Sequence, residues 1–526
     1  MCKGPNYREQ KTINWEICRQ KIADGLEKCI ESLNNDGDYQ PWKDLVLSKV
    51  DQKIEQLRNR RITNRRKQVL KDQEVAGYLT ELQSKFVIVP IDKASGNLAL
   101  ICKKFYVEEI LREIGKLGNE SETYVDAEIG ADNIIENNCL YADHLKLQVN
   151  DKNKTLPIMY WMPKMHKTPV GKRFIIASKF CSTKPLSKAM SKIFNLFYNQ
   201  IERFHGNAKF LSGYNKFWVL KNAEPVTEIL KKVNARHKAK SISTFDFSTL
   251  YNKIPHSDLI DKLCQIIDFV FQGGDKKFVR LGANGKAFWG NKSSKYPCFS
   301  KTSLKAAVKD LITGCYFTVG NITMRQCIGI PMGIDPAPFW ANLYLYFYEE
   351  KFITNLIRND RPKAKYFHSI KRFVDDLLAI NDSGEFSRQH SNMYPAELDL
   401  KLEHSGDHAT FLCLDIRIEN EQFVWKLYDK RDDFPFSIVR MPYKCSNIPE
   451  NIFYASIVGE FLRIGRSTIL LSDFLPKVKQ LLARMDKQGS SKERTKRALR
   501  KVVENHRGIF AKFGTTNTEL LNSVLN

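Results

Sequence analysis

The sequence predicts an α+β chain, and three observations carry that prediction. Runs of β-forming residues closed by Gly, Asn or Asp turns recur between residues 86 and 428. Apolar residues at helical spacing mark residues 1–85, 183–235 and the stretch from about Asn451 onward. Strand-like runs then deliver three aspartates. Asp246 lies in Ser243-Thr244-Phe245-Asp246-Phe247-Ser248-Thr249-Leu250-Tyr251, and an adjacent pair lies in Arg372-Phe373-Val374-Asp375-Asp376-Leu377-Leu378-Ala379-Ile380.

Lys and Arg outnumber Asp and Glu by 83 to 59 in 526 residues, giving a net charge of +24 and a pI near 9.4. That surplus points to a polyanionic partner, nucleic acid before anionic membrane. The plainer alternative is a basic but unspecialised surface. An apolar content of 43% is ample for a large core, and this length suits about three or four domain-sized units. No apolar run reaches about 18 residues, so no membrane span is expected. Met1-Cys2-Lys3-Gly4-Pro5 opens no secretory signal. The 12 cysteines are scattered without a Cys-x-x-Cys pair, and read as reduced intracellular thiols rather than a disulfide frame or a zinc site.

Residues 1–85 read as basic and helical. Trp15, Ile17, Ile22, Leu26 and Ile30 recur at near-helical spacing, and a second segment runs from about Trp42 to Leu82. Within it Arg60, Arg61, Arg65 and Arg66 concentrate guanidinium in a way that suits phosphate contacts, or else forms a solvated helix face. Phe86–Ile91 then reads as a strand, Asp92-Lys93-Ala94-Ser95-Gly96-Asn97 as a turn and Leu98–Ile101 as the return strand. Lys93 is either a phosphate contact or an ordinary turn residue. Residues 105–150 read as a helical connection. Tyr160-Trp161-Met162-Pro163-Lys164-Met165-His166-Lys167 and Lys172-Arg173-Phe174-Ile175-Ile176-Ala177-Ser178 form a strand pair bearing basic residues, suited to neutralising an incoming triphosphate. Arg173 is the first choice for that contact and Lys164 the second. Residues 183–235 are helical, with Phe194, Phe197, Tyr198 and Ile201 as core.

The strand carrying Asp246 breaks before Tyr251, and Ile254-Pro255-His256 starts the next element. A ring five residues after the aspartate would pack under a nucleotide sugar and exclude a 2′-hydroxyl. Hairpins turn at Gly282-Ala283-Asn284-Gly285 and at Gly320-Asn321. The second leads into Gly329-Ile330-Pro331-Met332-Gly333, whose glycines permit close backbone approach to a ligand. An apolar, aromatic helix follows over 339–352.

Asp375 and Asp376 sit at the tip of a predicted β-hairpin closed by Asn381-Asp382-Ser383-Gly384. On its own an Asp-Asp pair is as readily a polar turn. With Asp246 it completes the three-acid set that two divalent ions, about 3.5–4 Å apart, require for nucleotidyl transfer. Lys401, in the alternating run Leu398–Glu403, is a general-acid candidate toward a leaving pyrophosphate or an exposed strand residue. Residues 411–416 and 422–428 form another hairpin, where a primer grip would sit. From about Asn451 the chain is helical, and Arg497 lies in a basic run over 494–501 that suits duplex-backbone contacts.

In this order the blocks resemble a reverse transcriptase over roughly residues 86–430, closest to the Penelope-like retroelements, which are similar in turn to telomerase reverse transcriptase. Asp92-Lys93-Ala94-Ser95-Gly96 resembles that group's Asp-Lys-Gly element, and Gly-Ile-Pro-Met-Gly and Phe-Val-Asp-Asp resemble further blocks. The resemblance implies a right-hand polymerase with metal bound by Asp246, Asp375 and Asp376, Tyr251 as sugar gate and Arg173 on the triphosphate. Phe373 stands where many relatives carry tyrosine, and Met332 where other classes carry glutamine. No paired Gly-Ile-Tyr and Tyr-Ile-Gly nuclease pattern occurs, and Gly508-Ile509-Phe510 is too near the C-terminus to start one. The expectation is an endonuclease-lacking type or a truncated chain.

The expected architecture is therefore a basic helical N-terminal region (1–85), fingers (86–240), a palm carrying the acids (241–430) and a helical thumb (431–526). Its expected cofactor is Mg²⁺, two ions per site, with Mn²⁺ as alternative. Expected partners are an RNA template, a DNA primer or target 3′ end and deoxynucleoside triphosphates, with no membrane. Nucleotide contacts are expected from Arg173, Lys164, Tyr251, Gly333 and Lys401, and nucleic-acid contacts from Lys93, Arg60, Arg61, Arg65, Arg66 and Arg497. The expected localisation is nuclear, from the need to reach chromosomal DNA, with the cytoplasm as the alternative. Rival readings are an RNA-dependent RNA polymerase, a non-catalytic retroelement-derived RNA-binding protein and a telomere-maintenance reverse transcriptase.

Overall fold

A computed structural model describes residues 14–31, 37–58, 72–272, 276–282, 285–291, 296–331, 333–441, 443–444 and 450–525. The arginine run at Arg60, Arg61, Arg65 and Arg66 lies outside the described residues, as does Met332. The predicted second N-terminal segment is described as two helices, Gln40–Arg58 and Asp72–Lys85, after a first helix Trp15–Glu31. In the first two, Ile17, Ile22, Trp42 and Leu45 stay exposed and only Ala23 is buried, so their apolar stripes are not part of the main core.

The strands follow in chain order. A hairpin pairs β1 (Phe86–Ile91) with β2 (Ala94–Cys102). Its turn is tighter than predicted: Lys93 takes a φ of 61° and the return strand begins at Ala94. The 105–150 connection contains a short strand, β3 (Tyr124–Asp126), between helices Lys103–Glu113 and Ala131–His144. The basic pair is β4 (Ile158–Lys164) and β5 (Gly171–Ala177). Helices Lys184–Ser212 and Glu224–Arg236 lead to β6 (Ile242–Phe247). An insert of β7 (Phe278–Leu281), β8 (Ala287–Gly290) and β9 (Cys298–Ser300) forms its own small sheet. β10 (Tyr316–Val319) and β11 (Ile322–Gln326) turn at Gly320-Asn321 as predicted. β12 (Lys371–Phe373) and β13 (Asp376–Ile380) are the acid hairpin, and β14 (Leu400–Gly406) follows. β15 (His408–Phe411), β16 (Leu414–Glu419) and β17 (Gln422–Leu427) close the β-rich part.

These strands sort into two principal sheets. One, in the order β3-β11-β10-β4-β5, joins the basic hairpin to the pair after the insert through a parallel contact of Thr318 with Ile158. The other, in the order β12-β13-β6-β14, is antiparallel. Its two faces differ, as strand alternation requires. Phe245, Phe247, Leu377 and Ala379 enter the largest core with the helices Lys184–Ser212, His256–Val270, Lys301–Thr313 and Ala337–Asn359. Ile242, Leu378 and Ile380 face a second core shared with β15, β16, β17 and Val226 and Leu230 of Glu224–Arg236. Phe194, Phe197, Tyr198 and Ile201 are buried as predicted. The C-terminal helices, from Glu450–Ser467 to Asn517–Leu525, form a separate apolar cluster. Among the described residues no helix is long and apolar enough to cross a membrane.

Candidate active site

The register of the antiparallel sheet assembles the acids. Asp246, next to last in β6, lies opposite Asp376 of β13 on one side and Lys401 of β14 on the other. Directly opposed residues share a face. Asp375 is the second residue of the two-residue turn between Phe373 and Asp376, and its carbonyl accepts the Phe247 amide at 3.2 Å. The result is a group of three half-buried carboxylates, Asp246, Asp375 and Asp376, with one ligand oxygen from each within 4.8 Å of the others.

The turn is held in an unfavourable backbone state. Val374 has a φ of 55°, which a β-branched side chain adopts only at a cost of about 1–3 kcal/mol. Arg372 fixes it from the opposite face of the sheet, where it is paired with Leu377. Its guanidinium donates to the Val374 carbonyl at 3.0 Å, and to the Asn342 carbonyl and Oδ1 at 2.9 and 2.8 Å. It also pairs with Glu349 at 2.5 and 3.2 Å, and both side chains are wholly buried. The Tyr394 hydroxyl donates to the same carboxylate at 3.0 Å. Sequence reading left Arg372 and Glu349 without roles. The signal was strand parity, which sends Arg372 to the core side, and an acid within the aromatic helix Ala337–Asn359.

Burial and, after it, crowding of like charge act on these carboxylates. Burial, then the neighbouring Asp375, raises Asp376 to about 7, with Asp246 and Glu403 adding to the effect and Lys430 opposing it. Asp246 is raised by the same two causes in the same order, with Lys167 and Lys430 opposing. Such a set of hard oxygen donors, repelling one another and partly desolvated, fits a hard divalent ion such as Mg²⁺ or Mn²⁺.

Tyr251, on the short helix Leu250–Lys253, is partly buried beside this group. Burial and then Asp375 lift its hydroxyl to about 12. Its carbonyl accepts the Ile330 amide at 2.6 Å. A Cβ on Gly329 would lie 2.3 Å from that carbonyl, and one on Gly333 would lie 2.2 Å from the Ile176 carbonyl. The close approach that these glycines permit in this structure is to the chain's own backbone.

The basic candidates converge from β4, β5 and the β1–β2 turn. Arg173 pairs with the buried Asp92 at 2.9 Å and keeps its side chain partly exposed. Lys164 is lowered, first by burial and then by Arg173 and Lys167. Lys93 is lowered by burial, then by Lys430. Lys401 stands in the predicted row but is exposed and paired with Asp399 at 3.0 Å. Arg497 is exposed on the helix Lys492–Asn505, whose other face buries Leu499, Val502 and Val503. Glu403 and Lys430 were missed altogether. Glu403 sits at a register shift in β14, and both line a small polar pocket with Asp376 and Thr244.

No protein-family profile matches this chain, and no curated protein matches it. Among solved structures, telomerase from Candida albicans, determined with a fragment of telomeric RNA, aligns over 100% of this chain and 84% of its own, with a TM-score of 0.57 at 13% identity. Apo telomerase from Candida tropicalis aligns over 97% and 82% at a TM-score of 0.43 and 13% identity. The BmCPV RNA-dependent RNA polymerase at its elongation state aligns over 77% and 30% at 0.38 and 11%. The Candida albicans match carries the assignment: the chain has a reverse-transcriptase-like polymerase fold.

Proposed function

We propose that this chain is an RNA-directed DNA polymerase of the Penelope-like kind, extending a DNA 3′ end on an RNA template. The observation that carries the reading is the convergence of Asp246, Asp375 and Asp376, with ligand oxygens within 4.8 Å, on the acid-bearing sheet. In this reading residues 86–240 are fingers, 241–430 palm and 431–526 thumb. The primer 3′-hydroxyl attacks the α-phosphate of a deoxynucleoside triphosphate, the new P–O bond forms and pyrophosphate leaves. Divalent ions held by the three aspartates would lower the pKa of that hydroxyl and offset the charge that develops on the leaving group.

The chain's own groups perform the remaining tasks. Asp246 bridges the two halves of the acid group because it faces Asp376 in the register. Arg173, braced by Asp92, and Lys164 meet the triphosphate. Tyr251, fixed through Ile330, lies under the sugar and selects against a 2′-hydroxyl. The exposed face of the helix Lys492–Asn505, with Arg497, follows the duplex backbone. The Penelope-like assignment rests on the motif blocks, and the polymerase assignment on fold and acids together. Asp375→Asn tests the mechanism: extension should fall by at least about 100-fold, the scale of losing one preorganised transition-state group, with the thermal midpoint little changed. Near-normal extension would remove Asp375 from the mechanism.

A further inference from the structure

Residues 434–441 run from the end of the β-rich part back to the β1–β2 turn. Phe434 is buried with Ile91 and Ala94, and Met165, Phe436 and Ile438 pack around them. The Asn97 side-chain amide donates to the Ser437 carbonyl at 3.2 Å, and the Val439 amide donates to Asn97 Oδ1 at 2.9 Å. At Gly96 a Cβ would lie 2.4 Å from the Val439 carbonyl, so the two backbones touch. The strap is anchored at its far end by Arg440, which pairs with Asp429 at 3.1 Å and Asp432 at 2.6 Å. It therefore fastens the Asp92–Lys93 turn to the residues that immediately follow Tyr428.

Lys430 lies in that fastened region, on the short 3₁₀ turn Lys430–Asp433. Its neighbours are neutralised, Arg431 by Asp429 and Glu460 and Asp432 by Arg440 and Lys477. Among the described residues Lys430 forms no ion pair, and it lines the polar pocket with Asp376, Glu403 and Thr244. The Thr244 hydroxyl there is buried without a hydrogen-bond partner. Lys93 and Lys167 likewise form no ion pair among the described residues, and Lys93 feels both Lys430 and Lys167. With divalent ions on the three acids, the ammonium groups gathered beside them would lose those carboxylates as counter-charge, and an anion that bridges them would supply it.

We propose that Lys430 and Lys93, brought together by the strap 434–441, extend the polyphosphate site from the Lys164–Arg173 arm, which adjoins Lys93 through the Arg173–Asp92 pair, toward the acid group. The ligand is the polyphosphate of a free nucleotide rather than a phosphate of the duplex backbone. The inference rests on the polymerase reading for the identity of the nucleotide, but not for the existence of the site.

The test uses the full chain and three measurements: affinity for inorganic tripolyphosphate, affinity for an RNA–DNA duplex, and KM for dTTP in extension. Lys430→Ala should weaken tripolyphosphate binding by about tenfold, the scale of one charge-assisted contact, while Lys430→Arg retains most of it. Asn97→Ala removes no charge yet should also weaken tripolyphosphate binding, because it releases the strap. Duplex affinity should stay within about twofold, the limit of independent effects. Tripolyphosphate affinity unchanged in Lys430→Ala, or a loss confined to the duplex, overturns the proposal. The two readings fail separately. Tripolyphosphate binding that responds as expected without any extension keeps the site and removes the polymerase. Extension with an unmoved KM for dTTP in Lys430→Ala keeps the polymerase and removes the site.

Discussion

Asp376 shows how one residue's surroundings fix its chemistry. An aspartate ordinarily ionises near 3.8, and in the fold burial and Asp375 hold this one near 7. As pH rises between those values the unfolded chain has already released a proton that the folded chain keeps. The unfolded state then binds fewer protons, so this group's contribution to stability declines with rising pH across that window. Ion binding needs the carboxylate form, so Mg²⁺ should offset the decline. The increase in thermal midpoint on adding Mg²⁺ should be larger at about pH 8 than at about pH 6, and Asp246→Asn should abolish it. Equal increments at both values would contradict a carboxylate-held ion. Tyr251 makes a second claim at this scale. Tyr251→Ala should raise ribonucleotide incorporation relative to deoxynucleotide by at least about tenfold, the scale of one removed steric or hydrogen-bond discrimination. An unmoved ratio in a competition assay would place the sugar gate elsewhere.

At the scale of elements, the acid hairpin depends on the helix behind it. Arg372 and Glu349 are both wholly buried, and the guanidinium also holds the strained Val374 carbonyl. Arg372→Met leaves Glu349 buried without its partner and should cost about 3–5 kcal/mol. Adding Glu349→Leu should recover much of that stability, because replacing both partners removes the stranded charge. Urea unfolding measures both, and a single variant losing under about 1 kcal/mol would show that the pair is not what anchors the hairpin. The hairpins themselves were legible because their turn chemistry is local: Gly320-Asn321 stands where predicted, and Asn420 and Glu421, both at positive φ, join β16 to β17. The Asp92–Lys93 turn was placed too broadly, because Lys93 itself takes the positive φ that closes it and the return strand begins at Ala94. Gly96 serves to admit the Val439 carbonyl, a contact across 343 residues with no local signal.

Across the whole molecule, what the sequence could not convey is pairing between distant segments. The parallel contact of Thr318 with Ile158 merges strands assigned to separate units into one sheet. Lys430 escaped notice because its company, Asp376, Glu403 and the strapped Lys93, is assembled only by the fold. The three acids were legible because Asp246 and Asp376 sit in strands whose alternation fixes their face and Asp375 in the turn beside them, and the register then brings them together. The net charge of +24 adds the long-range attraction that a nucleic-acid enzyme uses. The most direct test of the central claim is primer extension on a poly(rA)/oligo(dT) duplex with Mg²⁺ or Mn²⁺, run beside the Asp375→Ala/Asp376→Ala variant. The account predicts dTTP incorporation by the intact chain and none by the variant. Salt-sensitive RNA binding with no incorporation by either chain, or equal incorporation by both, would contradict it.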